Sequence, residues 1–348
     1  MATHHSPPES RKTSPHPGDT MTAVLQRRYG SADTLTVGET PVPAIGPDEV
    51  LVEVHAAGVD RGVWHLMTGQ PYLVRLAGYG LLRPKNPVPG LDVSGRVVAI
   101  GEAVTRFAVG DAVFGIARGA YAQYAAAPES KLAHKPQSLS FEQAAVASIS
   151  GITALQALTD KGDLRAGQSV LVIGASGGVG SYAVQLAKAL GAQVTGVASA
   201  AKAELVRSLG ATEVLDYETD DYLDGTRTYD LIVDIGGRNP LRRLRSALEP
   251  DGTLVVVGGE GGNRLTGGFG RSIRASALSP FVSQRLTMFV AAEDHVWIDR
   301  LASHLANGSV VPFVGARHPL ADTPTAIGDL EAGRARGKSV IVVRDERP

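Results

Sequence analysis

Residues 170–180 read VLVIGASGGVG, an apolar run that ends in a stretch crowded with glycine. The next residues, SYAVQLAKALG (181–191), space their apolar side chains as a helix does, so the loop lies between a strand and a helix. A helix N-terminus offers unpaired N–H groups and a positive dipole, and glycines let the backbone approach a phosphate closely. Aligned on Gly180, the dinucleotide fingerprint G-x-G-x-x-G falls on Ala175, Gly177 and Gly180. We therefore predict a pyrophosphate-binding loop, with alanine in place of the first glycine.

Alternating strands and helices surround this loop. The predicted strands are residues 170–174, 193–198, 213–217, 230–235 and 253–259, and the predicted helices are residues 181–191, 202–210 and 239–250. Near-continuous Val, Leu and Ile in strands that alternate with helices indicate a parallel, doubly wound α/β sheet.

The N-terminal part of the chain has a different pattern. Residues 49–60, 90–101 and 106–115 are rich in valine or alternate, with Gly and Pro between them, which predicts a β-rich domain or barrel. Residues 140–160 are rich in alanine and helical in spacing. The last predicted strand, residues 338–343, is expected to return to the sheet of the first domain.

The composition limits the classes of function. The chain has 348 residues, a formal net charge of −1 and no cysteine. A near-neutral protein has no global field that would recruit nucleic acid or an anionic membrane. The lack of cysteine excludes disulfides and thiolate chemistry and is compatible with a reducing compartment, so we expect a cytoplasmic protein. No uninterrupted apolar stretch is long enough to span a bilayer.

The first 20 residues, MATHHSPPESRKTSPHPGDT, hold almost no large apolar side chain. They cannot bury enough surface to offset the entropy lost on ordering, so we predict a disordered tail. We interpret His4, His5 and His16 as solvated residues of this tail rather than as a metal site.

The end of the second predicted strand, QVTGVASAAK (193–202), bears on the choice of coenzyme. NAD-binding units usually carry Asp or Glu at this point, where it accepts hydrogen bonds from the ribose. Here Ala198 and Ser199 stand at the strand end and Lys202 follows, so no acid repels a 2′-phosphate. Lys202 is also compatible with a solvated helix residue. We predict NADPH as the cofactor.

Together these motifs resemble the medium-chain dehydrogenase/reductase superfamily, specifically its zinc-free quinone oxidoreductase-like branch. The resemblance covers residues 21–348 and rests on the stretches 170–192, SAAKAELVRSLGATEVLDY (199–217), PVPGLDVSGRVVAIGEAVTRFAVGDAVFG (87–115) and SGITALQAL (150–158). It implies a GroES-like, β-rich catalytic domain formed by both ends of the chain, with a Rossmann domain inserted between them. The expected boundaries are 1–20 for the tail, 21–143 for the N-terminal part of the catalytic domain, 144–280 for the Rossmann domain and 281–348 for the return to the catalytic domain. A homodimer is also implied.

The resemblance further implies the cofactor contacts. The glycine-rich loop would contact NADPH through Ser176, Gly177, Gly178 and Val179. The 2′-phosphate would be held by Ser199, Lys202 and Tyr217. Val257 and Gly258 would pass near the nicotinamide, and Thr153 would lie under it.

The sequence departs from the zinc enzymes of the superfamily at the metal ligands. Those enzymes carry Cys where this chain has Asp60, and Gly-His-Glu where it has Gly90, Leu91 and Asp92. They also carry a four-cysteine lobe. Catalytic zinc needs three protein ligands and an open position, and two carboxylates do not supply that set. We predict an enzyme without a metal.

Without a metal, little stabilises an alkoxide formed from a simple alcohol. A quinone or an α,β-unsaturated carbonyl suits such a site better, because hydride attack spreads charge onto an oxygen that hydrogen-bond donors can hold. Asp60, His65 and Tyr72 are the candidate catalytic residues, and Trp64 is the candidate for stacking on a flat acceptor. A lone His or Tyr beside apolar neighbours is also compatible with a structural role.

Two further segments have two interpretations each. Residues 254–274 are glycine-rich and are predicted as a lid over the cofactor, with a plain loop at the sheet edge as the alternative. The basic segment RARGK (334–338) is predicted first as a solvated face and second as a cofactor contact.

Three functions are therefore compatible with the sequence. The leading prediction is an NADPH-dependent reductase whose partner is a small molecule, a quinone or an enone. The first alternative is a pathway-specific enoyl- or alcohol-type reductase. The second alternative is a non-catalytic NADPH-binding sensor.

Overall fold

The computed structural model describes residues 18–258, 267, 269–335 and 337–345. The predicted disordered tail up to residue 17, with His4, His5 and His16, lies outside the described residues. Residues 259–266 and 268 of the predicted lid also lie outside them.

The N-terminal part of the chain is β-rich, as predicted, and the strands of its main sheet pair antiparallel. Its elements are Thr20–Gln26 (β1), Leu35–Pro41 (β2), Glu49–Val59 (β3), Arg61–Thr68 (α1), Asp92–Ile100 (β4), Ala112–Ile116 (β5), Tyr124–Pro128 (β6), Leu132–His134 (β7) and Phe141–Ala145 (α2). The long strand β3 pairs with β4 and β6, and β5 links β4 to β7. The hairpin of β1 and β2 forms a separate two-stranded sheet that the sequence did not predict.

The central part is a parallel sheet with helices between its strands. Its elements are Ser148–Gln156 (α3), Ser169–Ile173 (β8), Gly178–Ala189 (α4), Gln193–Ala198 (β9), Ala203–Leu209 (α5), Glu213–Asp216 (β10), Tyr229–Asp234 (β11), Leu241–Ser246 (α6), Leu248–Val256 (β12), Phe269–Leu278 (α7) and Arg285–Met288 (β13). Among the described residues the strand order is β10-β9-β8-β11-β12-β13, and every pair is parallel. This is the doubly wound Rossmann order, so the predicted fold class is confirmed.

Burial on both faces explains why β8 is apolar throughout. Val170 and Val172 pack into one core with α3 and α4, whereas Leu171 and Ile173 pack into the core on the opposite face. The order of the sheet reverses between β8 and β11, and ligands of such sheets bind at the carboxyl ends of the strands at this point. The fold therefore places the glycine-rich loop at a ligand-binding crevice.

The C-terminal part returns to the first sheet. Its elements are His295–Ala306 (α8), Val314–Pro319 (β14), Thr323–Glu331 (α9) and Lys338–Val342 (β15). β15 pairs antiparallel with β3 and parallel with β14, so the prediction of a closing strand is confirmed. The parallel sheet continues past residue 280 because β13 pairs with β12, and α8 buries Ile298 and Leu301 in the core of that sheet.

Gly180 fixes how closely α4 approaches the end of β8. A Cβ atom at Gly180 would lie 2.1 Å from the carbonyl oxygen of Gly174 and 2.8 Å from Cα of Ala175. These neighbours are backbone atoms that cannot rotate away. Glycine is therefore required here for helix–strand packing, the role of the third glycine in the fingerprint.

We expect the Gly180→Ala substitution to lower the thermal unfolding midpoint by about 1–4 °C, since overpacking costs about 1–3 kcal/mol. Gly177→Ala is the matched control, because its nearest atom would be 3.3 Å away and its backbone is extended. Calorimetry of both variants tests the expectation. Equal midpoints would show that Gly180 does not limit the packing.

Candidate active site

The glycine-rich loop joins β8 to α4 at the carboxyl edge of the parallel sheet. Gly174 has a φ of 89°, and its N–H donates to the carbonyl of Val197, which fixes the loop to β9. Gly177 is the N-cap residue of α4, and among the described residues no side chain caps this helix. The N–H groups of its first turn are therefore available to a phosphate. The predicted contacts Gly178 and Val179 belong to this turn, and Ser176 directly precedes the N-cap residue.

Lys338, the first residue of β15, is a buried cation beside this loop. Its side chain is 4% exposed, and Nζ lies 3.5 Å from Oδ2 of Asp92. Its Cδ atom would be 3.1 Å from a Cβ at Gly178. Apart from the ion pair, Nζ has no hydrogen-bond partner in the described part of the chain. The first interpretation of residues 334–338, a solvated face, is wrong for Lys338.

Asp92 connects this cation to the Rossmann domain. It is fully buried at the start of β4, and its Oδ1 accepts a hydrogen bond of 2.9 Å from the N–H of Ile149 in α3. Burial raises the pKa of Asp92 to about 7; the charge of Lys338 acts in the opposite direction, and the carboxylate of Asp60 raises the pKa further. Asp92 and Lys338 are the residues of this site whose pairing the sequence did not predict.

The predicted 2′-phosphate contacts meet at the ends of β9 and β10. The N–H of Tyr217 donates to the carbonyl of Ala198 at 3.2 Å, which places Tyr217 beside Ser199. Nζ of Lys202 donates to the carbonyl of Ala335 at 3.2 Å, so the segment before β15 also reaches this corner. The structure thus brings Ser199, Lys202 and Tyr217 together.

The predicted nicotinamide contacts lie along the same edge of the sheet. The N–H groups of Val257 and Gly258 both donate to the carbonyl of Asp234, at 3.1 and 3.2 Å, so they lie beside the end of β11. A Cβ at Gly258 would overlap the carbonyl of Ile235. Thr153 is half-buried in α3, and its hydroxyl donates to the carbonyl of Ile149 at 2.7 Å.

A zinc ion does not fit the residues at the family's metal position. Asp60 is the N-cap of α1, and its Oδ1 accepts a hydrogen bond of 3.0 Å from the N–H of Val63. Leu91 is apolar, and Asp92 is engaged by Ile149 and Lys338. No group of three or more His, Asp or Glu side chains in the described ranges could hold a metal ion.

An apolar cavity of about 500 Å³ lies in the catalytic domain. Its wall includes Val63, Leu66 and Met67 on one face of α1, and Tyr79 and Lys85 from the loop that follows. Leu91 also lines the cavity and packs against the cores of both domains. One end of the cavity therefore reaches the domain junction, next to Asp92.

The predicted catalytic side chains of this region are not brought to the cavity. Nδ1 of His65 lies 3.0 Å from the carbonyl oxygen of Gln70, at the C-terminal end of α1. The ring of Trp64 packs against His65 at 5.0 Å, and Tyr72 is exposed under the guanidinium of Arg75. Among the described residues, none of His65, Trp64 and Tyr72 lines the cavity. Asp60, by contrast, is close enough to Asp92 to raise its pKa.

A β-rich domain joined to a Rossmann sheet that carries a phosphate loop defines a nicotinamide-dependent dehydrogenase or reductase. Comparisons with known proteins agree with this class. Residues 46–137 match the alcohol dehydrogenase GroES-like domain, and residues 209–341 match the family described as zinc-binding dehydrogenase. A quinone oxidoreductase of Sus scrofa is 30% identical over 338 residues, covering 93% of this chain and 98% of the relative.

Two solved structures share the whole fold. An NAD-dependent alcohol dehydrogenase superimposes with a TM-score of 0.78 at 29% identity, over 93% of this chain and all of the other. A mycobacterial protein solved in complex with NADPH gives a TM-score of 0.77 at 28% identity, again over 93% of this chain and all of the other. The chain belongs to the medium-chain dehydrogenase/reductase superfamily, in its quinone oxidoreductase-like branch. It is an oxidoreductase with a nicotinamide cofactor, as predicted. No helix in the described part of the chain is long and apolar enough to cross a membrane.

We expect the Asp92→Asn substitution to change how stability depends on pH. The native pKa of about 7 lies above the ordinary value of 3.8, so native Asp92 holds its proton where the unfolded chain releases it. The free energy of unfolding of the wild type should therefore fall as pH rises between these values, by up to about 1.4 kcal/mol per pH unit from this group. The variant lacks this contribution, so its stability should not show this fall.

Thermal midpoints of the two proteins at pH 5 and pH 8 measure this difference. The midpoint of the wild type should fall relative to that of the variant as the pH rises. Replacing an exposed acid, Asp33→Asn, is the control and should leave the pH dependence of the wild type intact. Parallel curves for the wild type and Asp92→Asn would contradict the raised pKa.

Proposed function

We propose that this protein is an NADPH-dependent reductase that delivers hydride to quinones or α,β-unsaturated carbonyls without a metal. NADPH, when bound, supplies the hydride. The observation that carries the proposal is the corner formed by Ser199, Lys202 and Tyr217, which offers hydroxyl groups and an ammonium group but no acid at the end of β9.

Lys202 and Lys338 would each hold a different phosphate group of the coenzyme. Lys202 adjoins the position of a 2′-phosphate, and Lys338 adjoins the loop that would hold the pyrophosphate. Each phosphate would then have a cation besides backbone donors, which strengthens hydrogen bonds to anions. Val257, Gly258 and Thr153 are the residues that would hold the nicotinamide.

The proposal for the acceptor rests on the poor fit of this chain's residues to a catalytic zinc ion. Asp92 is paired with Lys338, and Asp60 caps α1, so neither is arranged to polarise an alcohol through zinc. An acceptor that delocalises the incoming charge needs only hydrogen-bond donors and correct positioning. Asp60, His65 and Tyr72 stay the predicted catalytic residues, and Trp64 the predicted stacking residue.

We expect the Lys202→Ala substitution to raise the Kd for NADPH at least about tenfold, because a charged hydrogen bond to phosphate contributes about 1.5–3 kcal/mol. The Kd for NADH should not change. Arg207→Ala removes an exposed cation from the same helix and should leave both constants unchanged. Fluorescence titration of each variant with both coenzymes measures the effect. Tighter NADH than NADPH binding by the wild type would overturn the coenzyme assignment.

The acceptor is tested by following the loss of NADPH absorbance with a panel of quinones, enones, simple aldehydes and ketones. We expect turnover with quinones or enones only. Turnover confined to one metabolite-like enone would favour a pathway-specific reductase.

In the same assay, His65→Gln or Tyr72→Phe should lower kcat about tenfold or more if the residue donates the proton. Unchanged rates in both variants would remove them from the mechanism.

A further inference from the structure

The loop after α1, which contains the short π-helix Arg75–Tyr79, exposes an unusual amount of apolar surface. Six of the sixteen large apolar side chains that are exposed in the described ranges lie within residues 72–82; they are Tyr72, Leu73, Leu76, Tyr79, Leu81 and Leu82. Leu82 is 92% exposed. Single exposed leucines are ordinary, but a cluster on one segment marks an interaction surface. We call residues 72–85 the apolar loop.

The apolar loop lies in a stretch of sequence whose charged residues are all positive. Between residues 61 and 91 the sequence has no Asp or Glu, but it has Arg61, Arg75, Arg83 and Lys85. Arg83 and Lys85 are exposed in the apolar loop itself. The formal net charge of the chain, −1, conceals this local excess of positive charge.

The segment after β1 adds cations beside the apolar loop. The hydroxyl of Tyr29 donates to the carbonyl of Gly80 at 2.6 Å, so the exposed Arg27 and Arg28 adjoin this loop. Asp33 is the acid that faces them, and it lies 3.8 Å from Arg28. Exposed leucines with cations around them are complementary to a bilayer whose headgroups are anionic and whose interior is apolar.

The apolar loop also forms the rim of the cavity. Gly78, Tyr79, Pro84 and Lys85 line the cavity, and Leu81 and Leu82 lie between these rim residues in the chain. The other end of the cavity is at Leu91, at the domain junction. The cavity thus extends from the apolar loop to Leu91 between walls that are largely apolar.

We propose that the apolar loop docks on an anionic lipid surface and that the acceptor enters the cavity from the lipid phase. The proposal rests on the function proposed above and narrows the acceptor to quinones or enones that carry a long apolar tail. Such molecules dissolve in lipid, and the apolar rim provides a continuous path from lipid to the cavity. The contact is peripheral, so it needs no membrane-spanning helix.

Co-sedimentation with vesicles tests the docking. We expect the wild type to sediment at least about tenfold more with phosphatidylcholine vesicles that contain phosphatidylglycerol than with phosphatidylcholine alone, and to be released at high salt. The double variant Leu81→Ser/Leu82→Ser should lose vesicle binding, and Arg83→Gln should weaken it about fivefold. Val109→Ser, which removes a 60% exposed valine elsewhere, is the matched control and should bind as the wild type does.

Steady-state rates distinguish docking from the chemistry. With a short, water-soluble quinone, the double variant should turn over like the wild type, whereas with a long-tailed quinone in anionic vesicles its rate should fall about tenfold.

Equal sedimentation with both kinds of vesicle, or wild-type binding by the double variant, would overturn the docking. Light scattering that shows a dimer for the wild type and a monomer for the double variant would also overturn it, because a second copy would then cover the loop. Vesicle binding without NADPH oxidation by any acceptor would instead overturn the proposed function and leave the lipid contact standing.

Discussion

The ion pair of Lys338 and Asp92 joins parts of the chain that are far apart in sequence. Asp92 begins β4, Lys338 begins β15, and the N–H of Ile149 in α3 holds the other carboxylate oxygen. When Asp92 is ionised, two buried charges lose several kcal/mol of hydration each, and the attraction across 3.5 Å with one supporting hydrogen bond recovers only part of that. The pair is therefore incompletely satisfied in the protein alone.

Much of the Rossmann domain could be predicted because its strands are buried on both faces. β8, β9 and β11 lie within one residue of the strands expected at 170–174, 193–198 and 230–235. The hairpin of β1 and β2 was missed, since β2 alternates exposed polar residues with few apolar ones and carries a glycine. The strand β13 was missed because only four residues form it, and its place in the sheet depends on pairing with β12 rather than on its own pattern.

Part of the candidate site could likewise be predicted from the sequence, and part of it could not. The loop and the corner of Ser199 and Lys202 follow one another along the chain, so spacing alone could locate them. The position of Lys338 could not be predicted, because nothing near it in sequence indicates that β15 buries its first residue against Gly178. His65 and Tyr72 were selected for their chemical type, but their contacts with Gln70 and Arg75 are set by how α1 ends and how the following loop turns. The sequence alone does not show these contacts.

The antiparallel pairing of β15 with β3 has a consequence for synthesis. β3 is made before the Rossmann domain and β15 after it, so the sheet of the catalytic domain lacks a strand until the Rossmann domain has been synthesised. The Rossmann strands β8 to β13 are complete before that point and can fold as a unit. The glycine-rich loop of this unit, however, lacks Lys338 until β15 is synthesised. The packing of Lys338 beside Gly178 therefore forms only after the Rossmann domain has been synthesised.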